Sequence, residues 1–302
     1  MTPYALASPP VGAPTGATLW RGLALTWEGP SGERWDLTRR AGGILLTAQG
    51  LEGLHTPRIT KYSSSSRGVP GNRPRGWRAE AREVFWPIFV WADGSDEWAK
   101  RMGDFFDSIH PENAGVWRAD TGEQVRSLRC TGVFDSTHKY SYDPFRTGWQ
   151  LYGVALEAHQ PFWEGEPIER GPWQSANSKP FFGGPPLHIS SSSTFGGADI
   201  PNPGDVDAYG TWDVRGPLTD ITLGVGEIRN VIPFPMNDDD VLVIDTDPRA
   251  PSATLNGSDV TEDLGLQRWA PVPPGESVPL FVSAVGEGSI RFRHTPLFFR
   301  AF

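Results

Sequence analysis

Six histidines, His55, His110, His138, His159, His188 and His294, are the side chains best suited to hold a transition metal or move a proton near neutral pH. They lie far apart in sequence, and no HExxH spacing occurs. Asp238-Asp239-Asp240, with Asp245 and Asp247, offers oxygen ligands of the kind calcium takes. The EF-hand spacing is absent, and a solvated acidic turn is the simpler reading. Gly224-Val225-Gly226 begins like a dinucleotide fingerprint, but Arg229 stands where the third glycine belongs and no helical pattern follows. Asn256-Gly257-Ser258 fits a glycosylation sequon and reads better as an Asn-Gly turn. Cys130, the single cysteine, sits in a strand pattern beside no base, and no G-x-S-x-G elbow is present. The sequence therefore assigns no catalytic, cofactor-binding or metal-binding residue. A pair of carboxylates brought together in space, as glycoside hydrolysis requires, stays open among the 36 acids.

Composition narrows the field further. A chain of 302 residues exceeds the usual span of one hydrophobic core, so two domains are expected. Gly 35 and Pro 29 suit many turns between short strands, while Trp 13 and Phe 16 supply large apolar areas. The net charge of −9 is uneven: 18 basic and 18 acidic residues run through Gly165, against 9 basic and 18 acidic from Glu166 onward. Such a balance argues against a protein that clings to nucleic acid. Met1 to Gly16 has no signal-peptide pattern, and no uncharged run approaches the roughly 20 residues of a membrane span, so synthesis in the cytoplasm without membrane insertion is expected.

The elements that would position any site are mostly strands. Leu19, Leu23, Leu25 and Trp27 alternate before the Gly29-Pro30-Ser31-Gly32 turn, and Trp35 to Leu37 and Ile44 to Thr47 follow as short strands. Tyr62 to Gly76, rich in Ser, Gly, Pro and Arg, reads as a long loop. Trp77 to Trp91 reads as one extended segment, with Arg78, Glu80 and Arg82 on one face and Val84 to Val90 apolar enough to be covered on both sides; Pro87 belongs at an edge or bulge. A helix is expected from Ser95 to His110, capped by Ser95 and stopped by Pro111, with Trp98, Met102, Phe105, Phe106 and Ile109 on one face against a sheet. Gln124 to Val133 and Gly148 to Glu157 complete the first half, the second with Trp149 and Leu151, and with them Val154 and Leu156, expected toward the core. Composition changes after Phe162-Trp163, which puts the domain boundary near Gly165. Beyond it, Leu218 to Leu223, Val241 to Asp245, Val278 to Val285 and Ser289 to His294 read as strands, with Gly286-Glu287-Gly288 as a hairpin turn.

Three stretches resemble the distal tail (Dit-like) proteins of long-tailed bacteriophages. Gly53-Leu54-His55-Thr56-Pro57, followed by Arg67-Gly68-Val69-Pro70-Gly71, is similar to that family's early glycine-leucine segment and its proline-glycine loop. Ala158-His159-Gln160-Pro161-Phe162-Trp163 is similar to the signature that closes its first domain, and Asn202-Pro203-Gly204-Asp205, with Trp212 and Gly216, to the opening of its second. Gln160, where an aspartate is frequent, and Asn72-Arg73-Pro74, in place of a simpler turn, depart from the pattern.

The resemblance implies a mainly β fold. Residues 1–165 would form a tail-tube-like β-sandwich or split barrel with one α-helix, and residues 166–302 a galectin-like β-sandwich of jelly-roll type. It implies a virion structural protein of the tail tip, with six copies closing into a ring between the tail tube and the host-recognition proteins. DNA would pass through the lumen, and the second domain would project outward toward receptor-binding proteins or a host surface glycan. The positions carried over are Pro70, Gly71, Pro161, Phe162, Trp163, Asn202, Gly204, Asp205 and Gly216. Tyr62, Arg67, Arg73 and Arg75 are the candidate ring contacts, since heterologous contacts that return to their start make closed rings. Two rivals remain: a carbohydrate-binding module or glycan hydrolase built on a β-sandwich, and a tail-tube subunit that polymerises.

Overall fold

Strand-period alternation builds the first body of the protein. A computed structural model describes residues 20, 22–39, 42–134, 140, 143–174, 193–195 and 198–302. The chain divides into two units, Met1–Glu164 with Phe298–Phe302, and Gly165–Leu297.

In the first unit the strands are β1 (Ala24–Glu28), β2 (Arg34–Asp36), β3 (Ile44–Leu46), β4 (Ile59–Ser66), β5 (Val69–Ala79), β6 (Arg82–Trp91), β7 (Gly115–Asp120), β8 (Val125–Val133), β9 (Trp149–Ala158) and β10 (Trp163–Glu164). Antiparallel pairing gives the order β2-β1-β7-β8-β9-β6-β3, with β10 against β8. Leu46 N–H donates to the Leu37 carbonyl at 2.7 Å, and Leu37 N–H to that of Leu25 at 2.9 Å. These bonds bring the last strand back beside the first, so the sheet nearly closes on itself. A closed sheet leaves few unpaired edges.

Even-numbered residues of β6 face the barrel interior: Val84, Trp86, Ile88 and Val90 are all buried. Trp27, Trp86, Trp117 and Trp163 run through that interior as a chain of edge-on and tilted contacts, with centroids 5.3, 5.2 and 5.0 Å apart. Gly53, at φ +106°, lies so close to this chain that a Cβ there would stand 2.8 Å from Val84 Cγ2 and 3.2 Å from the Trp117 ring.

The helix α1 (Ser95–Asp107) buries Trp98 and Phe105 completely, with Met102 and Phe106 half-buried against the same core. It differs from the expected helix at both ends. Gly94, in an extended conformation, is the N-cap and Ser95 is already helical, with no side-chain cap bond. The helix stops at Asp107 because the Ser108 hydroxyl turns back to the Phe105 carbonyl at 2.6 Å while also accepting Trp27 Nε1–H at 3.1 Å. A one-turn helix α2 (Pro144–Thr147), capped by the Asp143 carboxylate, precedes β9.

Pro87 sits in a paired strand and costs the ladder nothing. Its carbonyl accepts Thr47 N–H at 2.9 Å on the side away from β9, and a strand residue's N–H points the same way as its C=O. The missing donor therefore falls just past the end of β3, whose last pair is Leu46 with Ile88.

The second unit is a β-sandwich. One sheet has the order β11 (Ile168–Gln174), β21 (Ser289–His294), β14 (Gly210–Arg215), β17 (Val241–Asp245), β18 (Ser252–Leu255), β19 (Ser258–Asp259). The other has β12 (Ser193–Phe195), β20 (Ser277–Gly286), β15 (Leu218–Val225) and β16 (Ile228–Val231), with β13 (Asp199–Pro201) also on β20. Trp212 and Phe292, 4.5 Å apart, centre a core completed by Leu223, Ile244 and Val282. A bulge between Thr219 and Thr222, with Asp220 at φ +51°, lets both Leu218 and Ile221 face inward.

The sequence reading needs correction at two places here. Gly286-Glu287-Gly288 does not close a hairpin, because β20 and β21 belong to different sheets. The two glycines are needed at that corner instead, where a Cβ would stand 2.2 Å from the Pro217 carbonyl oxygen and 2.0 Å from that of Arg215. The last five residues belong to the first unit rather than to a second domain ending at 302. Phe298 lies under the Arg126 guanidinium at 3.6 Å, Phe299 packs on Phe162, and Ala301 N–H donates to the Leu54 carbonyl.

Candidate functional site

The feature that stands apart from both cores is a two-stranded arm. The stretch read as a loop, Tyr62 to Gly76, is β-structure: β4 and β5 pair from Ile59↔Ala79 to Ser66↔Val69, bulged at Tyr62/Ser63 and Ser64/Ser66, and join no other strand among the described residues. The long segment from Trp77 to Trp91 is accordingly two strands, broken at Glu80 and Ala81 where the chain leaves the arm for the barrel. Gly68, at φ +85°, makes the turn at the tip. Ten of the eleven β5 residues are exposed.

The arm is cationic. Lys61, Arg67, Arg73, Arg75 and Arg78 lie on it and no acid does; Glu52 and Glu80 are the flanking acids. Its apolar side chains are exposed too, with Tyr62 at 48 %, Val69 at 65 % and Trp77 at 51 %. Ties to the barrel occur at the root. Glu80 N–H donates to the Arg58 carbonyl, Glu80 takes the Arg78 guanidinium at 2.9 Å, and Trp77 lies 5.9 Å from Phe299. A bond from the Thr60 hydroxyl, then the Arg78 charge, holds the Glu80 carboxyl below its ordinary range. Of the four candidate contact residues, Arg75 bonds Ser64 at 2.9 Å, and Tyr62, Arg67 and Arg73 point into solvent. Pro70 and Gly71 are exposed at the start of β5.

Beside the root lies a cleft of about 590 Å³ lined by Glu52, Gly53, His55, Arg58, Glu83 and Glu157 among others. Its floor is Arg82. Sequence placed this residue on a face with Arg78 and Glu80, yet it is 2 % exposed. It has the same inward register as Val84 and Trp86. The guanidinium donates to four carbonyls: Pro161 at 2.6 Å, Gly53 at 2.8 Å, Phe299 at 2.9 Å, and His55. Burial draws its pKa down to about 10, which leaves it charged at neutral pH. Sequence reasoning missed this centre, although strict alternation along β6 was the available signal.

The other positions singled out by sequence are architectural in the structure. Pro161 supplies an acceptor to Arg82, Phe162 stacks edge-on with Phe299, and Trp163 is fully buried with Nε1–H on the Gly53 carbonyl at 3.2 Å. In the second unit Asn202 is 1 % exposed. Its amide donates to the Val206 and Val272 carbonyls at 2.9 and 2.8 Å, and its oxygen accepts Gly204 N–H at 2.8 Å. Gly204 and Gly216 both sit where a Cβ would strike a backbone carbonyl, that of Leu297 and that of Asn237, and Asp205 N–H donates to Leu297.

Among the described residues no group of three or more His, Cys, Asp or Glu is arranged to hold a metal ion, and no helix is long and apolar enough to cross a membrane. His138 and His188 lie outside the described residues. His110 accepts two backbone N–H groups, and His294 is buried against the Pro201 carbonyl at 2.9 Å. Asp240 accepts from Asn237 in its own turn and from Asn256 of the β18–β19 turn, and Asp247 pairs with Arg249. Gly226 turns β15 into β16, and Asn256-Gly257, both at positive φ, turn β18 into β19. Burial raises the Cys130 thiol far above its ordinary range, so it stays protonated.

No family model matches the sequence, and no curated protein matches it significantly. Solved structures do share its fold. The Dit protein of phage SPP1, a hub adsorption apparatus protein of phages infecting Gram-positive hosts, superposes with a TM-score of 0.61 at 13 % identity, covering 91 % of this chain and 99 % of that one. A chain of the phage P2 baseplate in its activated conformation with calcium gives 0.55 at 13 % identity, covering 91 % and 98 %; the same baseplate with strontium gives 0.53 at 12 %, covering 90 % and 97 %. The mainly β, two-unit fold is the one seen in phage Dit and baseplate hub proteins.

Proposed function

We propose that this chain is a structural, non-enzymatic subunit of a phage tail tip. Copies of it close into a hexameric ring that joins the tail tube to the host-recognition proteins and lets DNA pass through its centre. The observation that carries the reading is coextensive likeness: both units, over nine tenths of this chain, correspond to nearly the whole of the SPP1 hub protein. The arm gives the reading a physical basis, because an isolated two-stranded hairpin is marginal in water and this one, uncovered along most of its length, is tied to its own barrel at the root, through Trp77 on Phe299.

The residues of the ring contact are, in this reading, Tyr62, Arg67, Arg73 and Arg75. Its further partners are the tail-tube protein, the receptor-binding proteins of the tip and, through the second unit, a host surface glycan. The test is negative-stain electron microscopy with multi-angle light scattering of the purified chain at micromolar concentration. Rings of six copies are expected. Long tubes of stacked rings would shift the assignment to a tube subunit, and a monomer that hydrolyses cell-wall polysaccharide would shift it to the glycan-active rival.

A further inference from the structure

The outer face of the β6–β9 pair is as apolar as the inner one over much of its length. Odd-numbered residues of β6 point away from the barrel interior, and the register sets Phe85 beside Ala155, Pro87 beside Gly153, Phe89 beside Leu151 and Trp91 beside Trp149. Phe89, Trp91 and Trp149 shield one another, with Phe89 5.4 Å from each of the other two rings. Phe85 and Leu151 stay open to solvent, 39 % and 50 % exposed. Gly153 lets the Phe85 ring lie flat on the sheet, since a Cβ there would come within 2.7 Å of that ring. At the Phe85 end the apolar row runs into acids. Glu83 and Glu157 are direct cross-strand partners, and Glu52 bridges to Phe85 from the preceding loop. Like charges placed directly across a sheet repel each other, so this end of the face calls for a cation.

The same chain carries a segment of matching chemistry. The arm offers cations without acids, exposed Tyr62 and Val69 for apolar contact, and two strand edges that pair with no other strand among the described residues. Eight residues of β4 at strand rise reach roughly 26 Å, enough to leave one barrel and lie on the next. We propose that the arm of each copy lies across the outer β6–β9 face of the neighbouring copy. Arg67, Arg73 and Arg75 meet Glu52, Glu83 and Glu157 there, and Tyr62 and Val69 cover Phe85 and Leu151. The proposal rests on the ring reading above and names the surface that receives the arm. A contact between two different patches is heterologous, which is the kind that closes a ring. Nucleic acid is the other polyanion the arm could meet. The acids on this same molecule, beside exposed apolar residues that a phosphate backbone would not cover, favour the protein surface.

Charge reversal with a rescue arm tests this on the full chain. One variant carries Arg67→Glu, Arg73→Glu and Arg75→Glu, and the other Glu52→Arg, Glu83→Arg and Glu157→Arg. Each alone sets like charge against like, so each is expected to need at least tenfold more protein than the wild type to form rings by analytical ultracentrifugation at 50 mM salt. Mixed in equal amounts, an acidic arm meets a basic wall and a basic arm meets an acidic wall, so alternating rings return. The wild-type ring should also loosen between 50 and 500 mM salt. If either variant forms rings as readily as the wild type, or if the mixture fails while each variant keeps its wild-type melting temperature, the receiving surface is elsewhere although the ring reading stands. A wild-type chain that stays monomeric overturns both. Loss of short-duplex DNA binding in the arm variant, with assembly untouched, would assign the arm to nucleic acid and refute the proposal.

Discussion

Replacing Arg82 with Met keeps most of the aliphatic volume of the side chain and removes one buried cation from four carbonyls that belong to three separate segments, at Gly53 and His55, at Pro161 and at Phe299. A hydrogen bond to a charged donor contributes about 1.5–3 kcal/mol, so the four together represent roughly 6–12 kcal/mol before offsets. Keeping a guanidinium out of water opposes this by several kcal/mol, and acceptors at the edge of the cleft regain water when the cation is gone. A net loss of about 3–5 kcal/mol follows, a large fraction of the 5–15 kcal/mol typical of a domain. At about 2–4 °C per kcal/mol for a unit of this size, the melting temperature should fall on the order of 10 °C. Tryptophan fluorescence is a selective probe, since only Trp173, Trp212 and Trp269 of the 13 tryptophans lie in the second unit. Arg82→Lys should recover little, because an ammonium with three donors on a single nitrogen cannot span four carbonyls. The deficit should be the same at pH 6 and pH 8, both well below the group's pKa of about 10. A Met variant that melts within about 3 °C of the wild type would refute the account of Arg82 as the group that gathers these loops.

Asn202→Leu removes both donors and the acceptor from a buried site, leaving the Val206 carbonyl and Gly204 N–H without their partner, while the Val272 carbonyl keeps only the Ala208 N–H. A loss of about 2–4 kcal/mol is expected, seen by calorimetry as an earlier transition of the second unit. His294 is held below its ordinary pKa by burial, opposed by its bond to Pro201 and aided by the Arg170 charge. The unfolded chain therefore binds this proton more readily than the folded one, so stability is steady above about pH 7.5 and falls as pH drops through 6.5 toward 5. In His294→Gln that slope between pH 7 and 5 should flatten in thermal melts. The window lies above the range where Asp240, Asp247 and Asp259, all with lowered pKa values, begin to lose their own contributions.

Most of the long segments that pack on a core were legible in the sequence, although β7 and β14, both alternating, were passed over, and the arm, which packs on no core, was misread. In β9, Val154 and Leu156 point inward as expected and Tyr152 joins them, whereas Leu151, expected in the core, lies exposed on the opposite face with Trp149. In α1 Trp98 and Phe105 repeat at helical spacing because they face a buried surface that imposes the period. The arm faces no core, so its residues are free of alternation and their Ser, Pro, Gly and Arg content reads as a loop. Its pairing with itself leaves no mark in burial pattern. Gly286 and Gly288 gave the right element ends and the wrong connection, since a glycine pair marks a sharp turn and does not say whether the strands it joins share a sheet. Short strands such as β13 and β18, of three and four residues, offer too few alternations to be detected. Arg82 was misplaced because charge outweighed register: Val84, Trp86, Ile88 and Val90 point inward, and the same two-residue step carries Arg82 inward with them.

The stretches that gave the family resemblance turn out to meet at buried polar side chains, and there is a physical reason for it. Strand ladders satisfy their own backbone groups, whereas irregular loops that pass over a core leave carbonyls facing inward with no ladder to take them. A single side chain with several donors can gather such carbonyls from segments distant in sequence. Arg82 does so for Gly53 and His55, in the first stretch, and for Pro161, in the second; Asn202, in the third, does so for Val206 and Val272. The glycines nearby, Gly53 and Gly204, are what let the backbone approach closely enough for those bonds to form. These residues thus fix loop geometry. That is what a scaffold needs if its working surface is an arm and a sheet face held in register for another copy of itself.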